Sequence, residues 1–103
     1  MKHKLFIVED NADTRFLLAY LLDLAGYPVE TAGSLQEALD RYPPSGAAVL
    51  LSDVGLPDGT GRDLMHRLRA SGAAPYAIAL SGYGTPADIA ESLRAGFRHH
   101  LVK

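Results

Sequence analysis

Short uninterrupted apolar runs alternate with longer segments whose apolar positions recur at helical spacing. Leu5–Val8, Ala47–Leu51 and Tyr76–Leu80 do not alternate in polarity, which predicts strands buried on both faces. Between them Ala12–Ala25, Ser34–Tyr42, Arg62–Ser71 and Pro86–Ala95 are predicted as helices. Ser34 followed by Glu37 has the form of a capping box, and Thr85 before Pro86 places a cap and a first-turn proline at a helix start. Gly26, Gly72 and Gly96 each follow a helical stretch, as a left-handed closing residue does. Tyr27–Ala32, "YPVETA", carries a proline and alternates, which suits an edge strand, and His99–Val102 would form the opposite edge. Strand, helix and strand in turn predict an α/β, doubly wound, five-stranded parallel sheet with right-handed crossovers and helices on both faces.

Composition narrows the setting. With 103 residues, 48% hydrophobic and 21% charged, the chain is expected to be one compact domain, residues 1–103. A formal charge of -2 without a basic cluster argues against direct contact with nucleic acid. The absence of cysteine excludes disulfides and thiolate chemistry. The longest apolar run, Phe16–Leu22, is too short for a membrane span, and no signal-peptide pattern precedes Leu5, so a cytoplasmic location is expected.

Sites in open parallel sheets gather beyond the carboxyl ends of the strands. The residues just past the predicted strands are Glu9 and Asp10, then Asp53, Ser81 and Lys103. Three carboxylates on one rim repel one another unless a cation is shared, and oxygen-only donors favour a hard ion such as Mg²⁺, with Mn²⁺ as a substitute. Such an ion suits phosphoryl oxygens, with a lysine and a hydroxyl to hold the rest and Asp53, on the central strand, as in-line nucleophile. Glu9 and Asp10 could alternatively cap the first helix, and Asp58 is expected as a turn residue or a cap for the helix that follows it. His99 and His100, on opposite faces of one strand, are poor joint metal ligands.

These residues, in "IVEDN", "LLSDVGLPDGTG", "ALSGYG" and "HLVK", make the chain resemble the receiver domain of two-component response regulators, including receivers of hybrid sensor histidine kinases. The resemblance implies the flavodoxin-like strand order 2-1-3-4-5 and transfer of a phosphoryl group from a histidine kinase or histidine phosphotransfer protein to Asp53. It implies Mg²⁺ held by Asp10, Asp53 and the Gly55 backbone carbonyl, with Glu9 acting through water, and Ser81 and Lys103 as partners of the phosphoryl group. The domain would assist its own phosphotransfer and dephosphorylation without being a conventional enzyme. Gly55 and Tyr83 stand where the lifetime of the acyl phosphate is influenced.

Two departures stand out. His100 replaces the aromatic residue that, with Ser81, forms the family's switch, which makes inward packing weaker or pH-sensitive. The family's fifth helix is missing, which reads as truncation before the last helix; were the chain whole, self-association or marginal stability would be expected. The first predicted helix carries two apolar stripes, one through Thr14, Leu18, Leu21, Leu22 and Ala25 and another through Asp13, Leu17, Tyr20 and Leu24 with Phe16 nearby. One must face the sheet; the other is either apolar surface of the kind small proteins commonly expose or, as the resemblance implies, the donor's docking site, on Asp13, Thr14, Leu17 and Tyr20. The alternative function is a phosphorylation-independent interaction module of the same fold. An aspartate-nucleophile phosphatase would need a second aspartate where Gly55 stands, and a flavin site would not tolerate "EDNADT" near phosphate.

Overall fold

The computed structural model describes residues 2–82 and 84–103. In chain order it contains β1 (Leu5–Val8), α1 (Ala12–Leu24), β2 (Val29–Ala32), α2 (Leu35–Ser45), β3 (Val49–Asp53), the two-residue strands β4 (Gly55–Leu56) and β5 (Gly59–Thr60), α3 (Gly61–Ala70), β6 (Tyr76–Ser81), α4 (Pro86–Ala95) and β7 (His99–Val102). Five strands form one parallel sheet ordered β2-β1-β3-β6-β7, the 2-1-3-4-5 arrangement once the antiparallel β4-β5 pair is set aside. Register runs from Leu5, which pairs with both Val29 and Val49, through Val49 with Tyr76 to Ile78 with His99.

Where element ends depart from the sequence pattern, local chemistry explains it. β2 begins at Val29 rather than Tyr27, because Pro28 has no N–H to give the ladder and only its carbonyl accepts, from Leu5 N at 2.9 Å. α2 runs through Pro43 and Pro44 to Ser45 instead of stopping at Tyr42. The Ser45 hydroxyl donates to the Tyr42 carbonyl at 2.6 Å, and Gly46 at φ 71° closes the helix. The capping box expected at Ser34 is half made: its hydroxyl accepts from Glu37 N at 3.1 Å, but the Glu37 carboxylate accepts from Arg41 at 3.0 Å instead. At Thr85 both halves are present, with Pro86 in the first turn.

The two sheet faces are covered unequally. On one, Phe6, Val8, Leu50, Ala77 and Ala79 pack against Leu35, Ala38 and Tyr42 of α2 and Leu64, Met65 and Leu68 of α3 in the main core. Phe6 meets Tyr42 edge to face at 5.5 Å, a favourable ring geometry. On the other, α1 lies over β1 and β2, yet none of its residues is buried. Tyr76 and Leu101, on the β6-β7 half of that face, are 43% and 49% exposed.

Gly59 and Gly61 serve close packing rather than left-handed turns. Positive φ occurs, among the described residues, only at Gly26, Gly46, Gly72 and Gly96. A Cβ at Gly61 would lie 2.9 Å from the Asp53 carbonyl oxygen and 3.2 Å from the Phe97 ring, whereas one at Gly55 meets nothing within 4 Å. Gly61→Ala is therefore expected to cost about 1–3 kcal/mol in chemical denaturation, as overpacking does, and Gly55→Ala to leave the transition almost unmoved.

Candidate functional site

Backbone pairing continues past the strand ends and fixes the bases of the polar side chains. Glu9 N donates to Ala32 O at 3.0 Å, Val54 N to Leu80 O at 3.0 Å and Lys103 N to Ser81 O at 2.7 Å. Because parallel strands present their carboxyl ends together, the side chains of Glu9, Asp10, Asp53 and Lys103 converge on one rim. Carboxylate oxygens of Glu9, Asp10 and Asp53 lie within 4.8 Å of one another. Glu9 is 2% exposed and the Asp53 side chain 13%, while Asp10 faces solvent.

One ammonium compensates the two sheltered acids. Lys103 Nζ donates to Glu9 Oε2 at 2.7 Å and to Asp53 Oδ2 at 2.9 Å. The second oxygens hold weaker contacts, Glu9 Oε1 from Asn11 N and Asp53 Oδ1 from Gly55 N, both at 3.3 Å. Partial burial pulls the Lys103 pKa down, but the hydrogen bonds and charges of Glu9 and Asp53 outweigh it, and the net displacement is upward. Oxygen donors at this spacing, one of them open to water, fit a hard divalent cation.

The capping alternative for Glu9 and Asp10 is not what α1 uses. Asn11 is the cap, its Oδ1 accepting from Thr14 N at 2.9 Å. Asp58 is a turn residue, as expected, but it caps α2 rather than the helix that follows it: Oδ1 accepts from Leu35 N at 2.7 Å and Oδ2 from Gln36 N at 3.0 Å. The start of α3 is served by Thr60 and Asp63, whose side chains form a complete capping box.

Ser81 is buried at the end of β6, on the same sheet face as His100. Both line a cleft of about 140 Å³ with Val54, Ser92, Ala95 and Phe97. His100 Nδ1 is hydrogen-bonded at 2.8 Å to the hydroxyl of Ser92, a buried residue of α4 that sequence reasoning did not single out. Eight residues and a change of element separate the two, and no local spacing rule links them. His99 points the other way, to Tyr76 Oη at 2.8 Å, so the two histidines do not share a ligand. Tyr83 lies outside the described residues.

On α1, Asp13, Leu17 and Tyr20 are exposed and Thr14 is half-buried. Phe16, at 72% exposed, stacks on Tyr20 with ring centroids 6.3 Å apart. Leu21, placed by its spacing in the sheet-facing stripe, is 52% exposed. Arg15 reaches toward Gly33 and donates to the Glu9 carbonyl at 2.8 Å, on the β2 side, so the opposite flank with Leu21 borders the uncovered half of the sheet. No helix among the described residues is long and apolar enough to cross a membrane.

The response regulator receiver domain family matches residues 5–103. The chain is 36% identical over 101 residues to the uncharacterized 14.6 kDa protein in the sodA1 3'region of Leptolyngbya boryana, covering 96% of this chain and 77% of that one. It is 34% identical over 100 residues to the two-component response regulator PhoP of Pseudomonas aeruginosa, covering 97% of this chain and 44% of PhoP. For the transcriptional regulatory protein FixJ of Bradyrhizobium diazoefficiens the identity is 28%, with coverages of 99% and 50%. The chain thus spans about half the length of these two regulators. Among solved structures it is similar to the chemotaxis protein CheY4 of Vibrio cholerae, with 28% identity, TM-score 0.92 and coverages of 100% and 88%. It also shares its fold with TrrA of Thermotoga maritima in complex with Mg²⁺-BeF, with 24% identity, TM-score 0.85 and coverages of 99% and 87%.

Replacing Lys103 by Met leaves Glu9 and Asp53 without their shared cation. The Lys103 side chain is 32% exposed, so water screens the pair and the expected loss is about 1 kcal/mol rather than the several of a fully buried pair. Because folding raises the Lys103 pKa, this contribution is complete below the unfolded value and disappears as pH rises through the folded one. Denaturation curves of the unsubstituted chain and Lys103→Met should differ at neutral pH and converge above pH 10.5.

Proposed function

We propose that this chain, which belongs to the response regulator receiver family, accepts a phosphoryl group on Asp53 from a phosphohistidine of a histidine kinase or histidine phosphotransfer protein. The observation that carries the reading is the convergence of Glu9, Asp10 and Asp53 within 4.8 Å, with the Lys103 ammonium 2.9 Å from Asp53. An Asp53 carboxylate oxygen attacks phosphorus in line, the O–P bond forms as the P–N bond breaks, and the donor imidazole leaves with the bonding pair.

The ion that fits the donor set is Mg²⁺, held by Asp10, Asp53 and the Gly55 carbonyl with Glu9 acting through water. When bound, it offsets charge on the phosphoryl oxygens. Lys103 and the Ser81 hydroxyl take the remaining oxygens, and Ser81 with its neighbour His100 carries the change toward α4. TrrA was solved with Mg²⁺-BeF, but the metal reading here rests on this chain's own carboxylates.

The donor docks, in this reading, on the exposed stripe of α1 through Asp13, Leu17 and Tyr20, with Thr14 at its margin. The open half-face around Leu21, Tyr76 and Leu101 is the surface on which copies of the chain associate. Sedimentation at increasing concentration checks this, with Leu101→Glu expected to remove the concentration dependence.

Incubation with Mg²⁺ and a small acyl phosphate should add one phosphoryl group by intact mass. No adduct should form on Asp53→Asn, and persistence of the adduct in that variant would sink the assignment. Polar substitution of Leu17 and Tyr20 together should slow transfer from a phosphohistidine protein while leaving labelling by the small donor unchanged. Equal slowing of both reactions would remove the docking role.

A further inference from the structure

The β4-β5 hairpin after Asp53 is held at its tip by a helix it does not belong to. Asp58 sits in its turn, and both carboxylate oxygens leave the hairpin to accept from the first two N–H groups of α2, Leu35 at 2.7 Å and Gln36 at 3.0 Å. Ser34 serves only the third donor, Glu37 N, at 3.1 Å. The helix start is therefore completed by a residue more than twenty positions away. Packing reinforces the contact, since Gly59 comes so near α2 that a Cβ there would lie 2.6 Å from Leu35 Cδ2. At the base, Gly61 N donates to Val54 O at 2.8 Å.

Two strands of two residues do not hold themselves in water. Gly55 stands opposite Thr60 in this hairpin. The two backbone donors hold the Asp58 carboxyl below the usual carboxylate range, so the ionised, acceptor-only form is present at neutral pH.

We infer that Asp58 is a positioning residue: by clamping the hairpin tip to α2 it fixes the Gly55 carbonyl and thereby sets the Mg²⁺ affinity of the Asp53 site. This rests on the proposed function, in which that carbonyl is a ligand.

The test is calorimetric titration of Mg²⁺ alone into the full chain and three variants, each checked for folding by thermal melting. Asp58→Ala should weaken Mg²⁺ binding about tenfold, the lower end of what loss of a ligand's supporting contact costs. Asp58→Asn, neutral but keeping one acceptor oxygen, should fall between Asp58→Ala and the unsubstituted chain. Ser34→Ala removes a partner from the same helix end without touching the hairpin, and its affinity should stay close to the unsubstituted value. Should Asp58→Ala not fold, Asp58→Asn against Ser34→Ala decides the matter. The inference is overturned by unchanged affinity in the Asp58 variants, by an equal loss in Ser34→Ala, or by equal losses in Asp58→Asn and Asp58→Ala, which would indicate charge alone. Absence of Mg²⁺ binding by the unsubstituted chain would overturn the inference together with the site reading, whereas binding with an unchanged Asp58→Ala overturns the inference only.

Discussion

Two sheltered carboxylates share a single ammonium, and the arrangement of the sheet's carboxyl rim follows from that. Glu9 is almost wholly out of water and Asp53 nearly so, and each would be costly to keep ionised without Lys103 between them. The contact joins β1, β3 and the edge strand β7 at the end where parallel pairing has run out. Asp10 is left in solvent with no share of that ammonium among the described contacts, so three carboxylates face one ammonium and the rim carries two negative charges in excess. The same geometry that stabilises the sheet thus leaves it attractive to a small cation.

Much of this was legible in the sequence because parallel strands covered on both faces write themselves as uninterrupted apolar runs. Once Leu5–Val8, Ala47–Leu51, Tyr76–Leu80 and the edge segment His99–Val102 are read as parallel strands, the residues after them share an end of the sheet, which brings Glu9, Asp10, Asp53, Ser81 and Lys103 together. The contacts that escaped notice are tertiary. Asp58 lies in a turn-like sequence and says nothing by itself of Leu35 and Gln36, and Ser92 looks like any small polar residue of a helix until His100 is placed beside it. Gly59 and Gly61 invite a turn explanation, yet neither has positive φ, and their role is to leave room for Leu35 and for the Asp53 backbone.

The faces of the sheet divide the labour. The α2-α3 side holds nearly all large buried side chains, including Phe6, Leu50, Leu64, Met65 and Leu68, and carries most of the hydrophobic stabilisation. The α1 side buries Leu5 and Ile7 but leaves Phe16, Leu17, Tyr20 and Leu24 largely in water. A helix that contributes so little to the core can present side chains to another protein without weakening its own fold.

The Lys103 contact to Glu9 closes a chain segment of 94 residues, and β1 cannot pair with β3 until everything between them has been accommodated. Lys103 follows β7, so the pairing that links Glu9, Lys103 and Asp53 exists only in a chain whose β7 has joined the sheet. A chain that has gained its helices but not its final strand has the acidic residues without the geometry that joins them, so competence at this site reports on completion of the fold.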